Sequence, residues 1–66
     1  MNANLLTPRQ RESLSLARSG KTSQQIGCAL GISPRTVDQY IGDACKRLGA
    51  RNRAQAVAEA VMRGEI

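Results

Sequence analysis

The stretch "CALGISPRTV", Cys28 to Val37, leaves little freedom in how its two ends can be arranged. Ile26 and Leu30 fall one helical turn apart, and Gly31 follows where a helix commonly ends on a left-handed glycine. Ser33 then offers an N-cap oxygen, and Pro34 is pre-set for the first helical position. With only Gly31, Ile32 and Ser33 between them, the two helices must cross at a steep angle, as in a helix-turn-helix. Gly27 fits that crossing, because a residue without a side chain lets the second helix approach closely while Ile32 plugs the junction. The alternative is an exposed glycine carrying only its helix-propensity cost of roughly 1 kcal/mol.

The same punctuation divides the rest of the chain. In "LTPRQRESLSLARSG", Thr7 is the N-cap, Pro8 the first helical residue and Gln10 the partner of a capping box, and Gly20 closes the segment. Leu6 precedes this helix, and Leu14 and Ala17 are expected to face the core. Thr22 and Gln25 repeat the box ahead of the short second helix. Along the third helix, Val37, Tyr40, Ile41, Ala44, Cys45 and Leu48 trace one apolar stripe, and Arg35, Asp38, Gln39, Gly42 and Lys46 make a polar ridge opposite it. As pattern alone, any amphipathic helix has such a ridge.

Gly49 ends the third helix and Asn52 caps a fourth, whose core stripe is expected to be Ala54, Val57, Ala58 and Val61. Ala56 and Ala60, with Glu59 and Arg63 beside them, form a second line of small residues. That line reads either as a self-association surface or as a solvated face chosen for helix propensity. The expectation is an all-α fold, a compact four-helix helix-turn-helix domain with helices at about 8–19, 23–30, 34–48 and 53–63. It takes in 1–66 as a single domain, with residues 1–5 flexible.

Charge narrows the function. Ten Lys and Arg against five Asp and Glu give +5, which favours a polyanionic partner over a merely solubilising surface only when joined to a shape that can use it. With Tyr40 as the one aromatic residue, the chain has no stacking platform for single strands. The chain has no His and its two cysteines, Cys28 and Cys45, are far apart, so a standard zinc site or Cys-x-x-Cys pair is excluded. Both thiols are expected to be buried and reduced. No cofactor and no metal is expected, and general acid–base or nucleophilic work has no residue set to carry it. No apolar run is long enough to span a bilayer and no targeting segment is recognisable, so the expected location is the cytoplasm, at a bacterial nucleoid, without a membrane partner.

The signatures "LTPRQRE", "GKTSQQIG", "LGISPRTV", "KRLG" and "NRAQAV" occur in that order, and together they resemble the LuxR-type (GerE-like) DNA-binding domain of bacterial transcription factors from Leu6 to about Met62. "GKTS", "IGDACKRLG" and "RGEI" look most like its quorum-sensing branch. The resemblance implies that helix three enters the major groove of double-stranded DNA and that helix four pairs two copies into a homodimer. It places base-reading slots on Asp38, Gln39 and Gly42, and phosphate-contacting slots on Ser23, Thr36 and Lys46. Gln24, Arg35, Arg47 and Arg51 are their backbone-contacting neighbours, and Ala56, Glu59, Ala60 and Arg63 the dimer interface. Arg53 is expected to cluster with Lys46, Arg47 and Arg51 near the far end of helix three.

Two slots depart from the family's pattern, which often has Lys or Arg in place of Asp38 and a longer side chain in place of Gly42. Asp38 can only accept a hydrogen bond, most plausibly from a cytosine amino group, and Gly42 reads nothing by side chain. Gln39 could read adenine. Sequence preference is therefore expected to be thin or partly shape-based.

Other readings stand beside a DNA-binding regulator. One is the promoter-reading helix-turn-helix of a sigma factor, which the fourth helix argues against. A second is a free-standing domain that pairs with a related full-length LuxR-type regulator and inhibits it. RNA polymerase is a further conceivable partner. If Met1 is the natural start, activity is set by abundance or partners, and otherwise by a missing sensor domain.

Overall fold

The computed structural model describes residues 5–66, and the expectation of flexibility at 1–4 lies outside the described residues. Four helices follow in the expected order: α1 (Pro8–Arg18), α2 (Ser23–Leu30), α3 (Pro34–Leu48) and α4 (Arg53–Met62). No strand occurs among the described residues. The ends of α1 and α4 fall one residue short of the expected bounds, because Ser19 and Arg63 act as C-caps.

The starts are set by side chains that satisfy otherwise orphaned N–H groups. Thr7 and Gln10, then Thr22 and Gln25, close reciprocal capping boxes. Ser33 Oγ accepts from the Thr36 N–H at 3.1 Å, and Asn52 Oδ1 from the Gln55 N–H at 2.8 Å. Gly31 ends α2 at φ 72°, a left-handed turn that a side chain would strain.

Helix α3 is the axis of the fold and packs against each of the other three. Its stripe supplies Val37, Ile41, Ala44 and Leu48 to a core completed by Leu6, Leu14, Ile26, Ala56 and Ala60. Ala17, Leu30, Ile32 and Cys45 pack around that core half-buried. Gly27 is buried, and Ile32 sits in the junction as expected.

Three expectations are corrected. On α4 the expected core stripe holds only at Val57, which packs half-buried against the core: Ala56 and Ala60 are fully buried, whereas Ala54 and Ala58 are exposed and Val61 keeps 39% of its surface. A short helix seated on both α1 and α3 must come close, and alanine permits the close approach that valine would block. Cys28 is exposed rather than buried, and Cys45 only half-buried. Leu5 is held rather than loose, since its N–H donates to Glu65 Oε2 at 2.8 Å and its carbonyl accepts from Arg47.

Candidate nucleic-acid interface

The outward face of α3 is formed by Arg35, Asp38, Gln39, Gly42, Asp43 and Lys46, all exposed. It stands clear because Val37, Ile41, Ala44 and Leu48 are turned the other way, into the core that α3 shares with α1, α2 and α4. A ridge of this kind, one helix wide and backed by a rigid core, matches the dimensions of the DNA major groove.

Two helix starts flank the ridge. At α2, Ser23 and Gln24 occupy the first positions, where backbone N–H groups have no helical acceptor and attract anions. At α3, Arg35 follows Pro34 in the first turn, and the Thr36 hydroxyl lies 3.0 Å from that of Ser33. Lys46 closes the ridge about 12 Å further along the axis from Asp38, at 1.5 Å per residue. Among the described residues, Arg35, Lys46 and Arg51 take no part in an ion pair.

The arginines do not all gather at the far end of α3. Arg47 Nη1 donates to the Leu5 carbonyl at 3.0 Å, which commits one of its donors to the N-terminal segment. Arg53, expected near Lys46, instead reaches back to the start of the ridge. Its Nη2 donates to Ser23 Oγ at 2.7 Å and stands 3.5 Å from Asp38 Oδ1. The Ser23 hydroxyl in turn donates to Asp38 Oδ1. One of the two oxygens of the expected base reader Asp38 is thus engaged inside the protein.

The surface expected to pair two copies is only partly available. Ala56 and Ala60 are core residues, which removes them from any interface, because they already face α1 and α3. Glu59 and Arg63 remain at the surface and pair with each other at 3.4 Å. The apolar surface α4 does present is Val61 and Met62, the latter 79% exposed, beside Ala54 and Ala58.

Sequence reasoning did not single out Asp43, which adds a second carboxylate beside Gln39 and Lys46, nor the engagement of Arg53 with Asp38. Asp43 is four residues from Gln39, so the helical repeat alone places it on the same face. Arg53 carried no such signal, since its partners lie 15 and 30 residues away.

The family model for luxR-family bacterial regulatory proteins, GerE, matches residues 4–60. The chain belongs to that family. Among luxR-family relatives, the spore germination protein GerE of Bacillus subtilis is 42% identical over 62 residues, covering 94% of this chain and 84% of that protein. The transcriptional activator protein AhyR of Aeromonas hydrophila is 44% identical over 59 residues, 89% of this chain. The quorum sensing-dependent transcriptional regulator RpaR of Rhodopseudomonas palustris is 44% identical over 63 residues, 96% of this chain. This chain spans only about a quarter of the length of AhyR and RpaR, 23% and 26%. A solved structure of the transcription factor GerE superposes with a TM-score of 0.90 at 35% identity, covering 94% of this chain and 92% of that one. The chain is therefore a helix-turn-helix domain of the kind that luxR-family transcriptional regulators carry.

Proposed function

We propose that this domain binds double-stranded DNA to regulate transcription, with α3 laid in the major groove. The observation that carries the reading is the exposed, unobstructed ridge of α3, flanked by helix starts and cations and backed by a core that fixes its orientation. Gln39 is the side chain best suited to a base edge, and Gly42 brings the α3 backbone close to the bases. Ser23, Gln24, Arg35, Thr36, Lys46 and Arg51 take the phosphates, which set register rather than sequence preference. Two copies pair through the exposed side of α4, at Ala54, Ala58, Val61 and Met62, with Glu59 and Arg63 at the rim, to place two α3 helices on adjacent half-sites. The domain acts in the bacterial cytoplasm, at the nucleoid. RNA polymerase or a related luxR-family regulator is its further partner. Nothing in the geometry favours the pairing inhibitor over this reading.

The test is selection of bound duplexes from a random DNA pool by the 66-residue chain at about 0.15 M salt, where unspecific phosphate attraction is already partly screened. A recovered two-fold motif is expected. Absence of any enriched motif removes sequence-specific regulation by this domain alone.

Lys46→Ala tests the phosphate contacts. The variant is expected to bind every sequence more weakly and to flatten the dependence of log affinity on log salt by about one. Titration of a labelled duplex at several salt concentrations reads this out, and an unchanged slope would place Lys46 away from the DNA backbone.

A further inference from the structure

The cluster where α2, α3 and α4 meet already holds an anion, and the protein supplies it. Asp38 Oδ1 accepts from the Ser23 hydroxyl, and the Arg53 guanidinium spans both, 2.7 Å from Ser23 Oγ and 3.5 Å from Asp38 Oδ1. The three residues come from the second turn of α3, the first position of α2 and the first position of α4. A hydroxyl and an arginine converging on one oxygen are equally good ligands for a carboxylate and for a phosphate. The cluster lies at the end of α2 whose N–H groups favour anions, and Asp38 remains 64% exposed, so an outside anion can reach it.

We propose that Asp38 is an internal stand-in for a DNA phosphate: it occupies Ser23 and Arg53 in the free domain and gives them up to the phosphate backbone on binding. The proposal rests on α3 lying in the major groove, since only then does the α2 start face a DNA strand. It assigns Asp38 a positioning role in place of base readout. An exposed ion pair is weak, so the exchange is cheap, but it has two consequences. Arg53 contributes little to the attraction of DNA while Asp38 neutralises it. The displaced carboxylate, left close to the phosphates, lowers affinity for every sequence alike.

Asp38→Asn tests this, because asparagine keeps the size and an acceptor for Ser23 while losing the charge. The experiment compares the wild type, Asp38→Asn, Arg53→Ala and the double variant on a random-sequence duplex across a salt series starting at about 0.05 M. Thermal melts confirm that each is folded. Asp38→Asn is expected to bind about five- to tenfold more tightly and to steepen the salt slope by about one, as one more phosphate is neutralised. Arg53→Ala is expected to change little in the wild type and to abolish the gain in Asp38→Asn. No gain, or a gain that survives Arg53→Ala, overturns the proposal, the latter leaving simple charge repulsion. A changed base preference with unchanged random-sequence affinity also overturns it and restores Asp38 as a base reader. If the wild type binds neither random duplex nor any selected one, the DNA reading itself falls and takes the proposal with it.

Discussion

Gly27→Ala is expected to abolish cooperative folding or to lower the melting temperature by about 12 to 24 °C, as a loss of about 3 kcal/mol would do in a domain of this size. A Cβ at this position would lie 2.5 Å from the Ile32 carbonyl oxygen, 3.3 Å from the Pro34 nitrogen and 3.4 Å from the Ser33 carbonyl carbon. All three are backbone atoms, so no side chain can rotate out of the way. Relief requires α2 to move off the turn that leads into α3. That movement breaks the hydrogen bond from the Ile32 N–H to the Gly27 carbonyl, 2.9 Å long, and opens the packing of the adjacent Ile26. Overpacking a core ordinarily costs about 1 to 3 kcal/mol, and a clash confined to backbone belongs at or beyond the upper end. A 66-residue chain has only about 3 to 10 kcal/mol of stability to lose.

Gly42→Ala is the matched control, because a Cβ there meets nothing within 4 Å. In a helix interior the exchange is expected to stabilise by about 0.5 to 1 kcal/mol. Far-UV circular dichroism melts of the two variants against the wild type decide the matter. An unchanged melting temperature for Gly27→Ala would mean that α2 and α3 do not cross as described.

The difference between those two glycines shows what the sequence could say. Gly27 announced itself because it sits just ahead of a turn too short to separate two helices, so the close crossing follows from chain length and caps alone. The cap residues Thr7, Thr22, Ser33 and Asn52 act through partners three residues away, which is why the helix starts were legible. The stripe of α3 was equally plain, since large apolar residues recur there at helical spacing over fifteen residues. The faces of α4 were not. Its apolar residues are alanines and valines on two adjacent lines, and hydrophobicity favours the valines. The close approach of α4 to α1 and α3 favours the alanines, and that distance is a property of the assembled fold.

The interface divides in the same way. That Arg35, Gln39, Gly42 and Lys46 share an outward ridge is periodicity, and the structure keeps them there. That Asp38 is tied to Ser23 and Arg53 depends on where three helices converge, which no local spacing encodes. Glu65 is the extreme case, with partners 59 and 60 residues away at the opposite end of the chain.

Glu65 accordingly carries the second large effect. Its side chain is almost wholly buried and accepts from the Leu5 N–H at 2.8 Å, the Leu6 N–H at 3.3 Å and Arg11 Nη2 at 3.3 Å. Glu65→Ala strands the Leu5 and Leu6 N–H groups, and a buried donor left unpaired costs about 1 to 3 kcal/mol, so a loss of about 3 kcal/mol is expected. Glu65→Gln keeps the shape and one acceptor and is expected to lose less.

The same clasp predicts a pH dependence. Burial disfavours the charged carboxylate, but the two backbone N–H groups and Arg11 outweigh it, holding the Glu65 carboxyl below the ordinary value of 4.5. A group whose folded-state value is depressed stabilises the fold above the unfolded value and loses that contribution as pH falls through the folded one. The stability gap between wild type and Glu65→Gln, measured by urea unfolding, is therefore expected to be full at about pH 7 and to close as pH drops below about 4.5. A gap that stays constant down to about pH 3 would show that the clasp works by shape and not by charge. Closure of the gap would instead make one ionised carboxylate, the next-to-last residue of the sequence, the fastening between the segment after α4 and the start of α1.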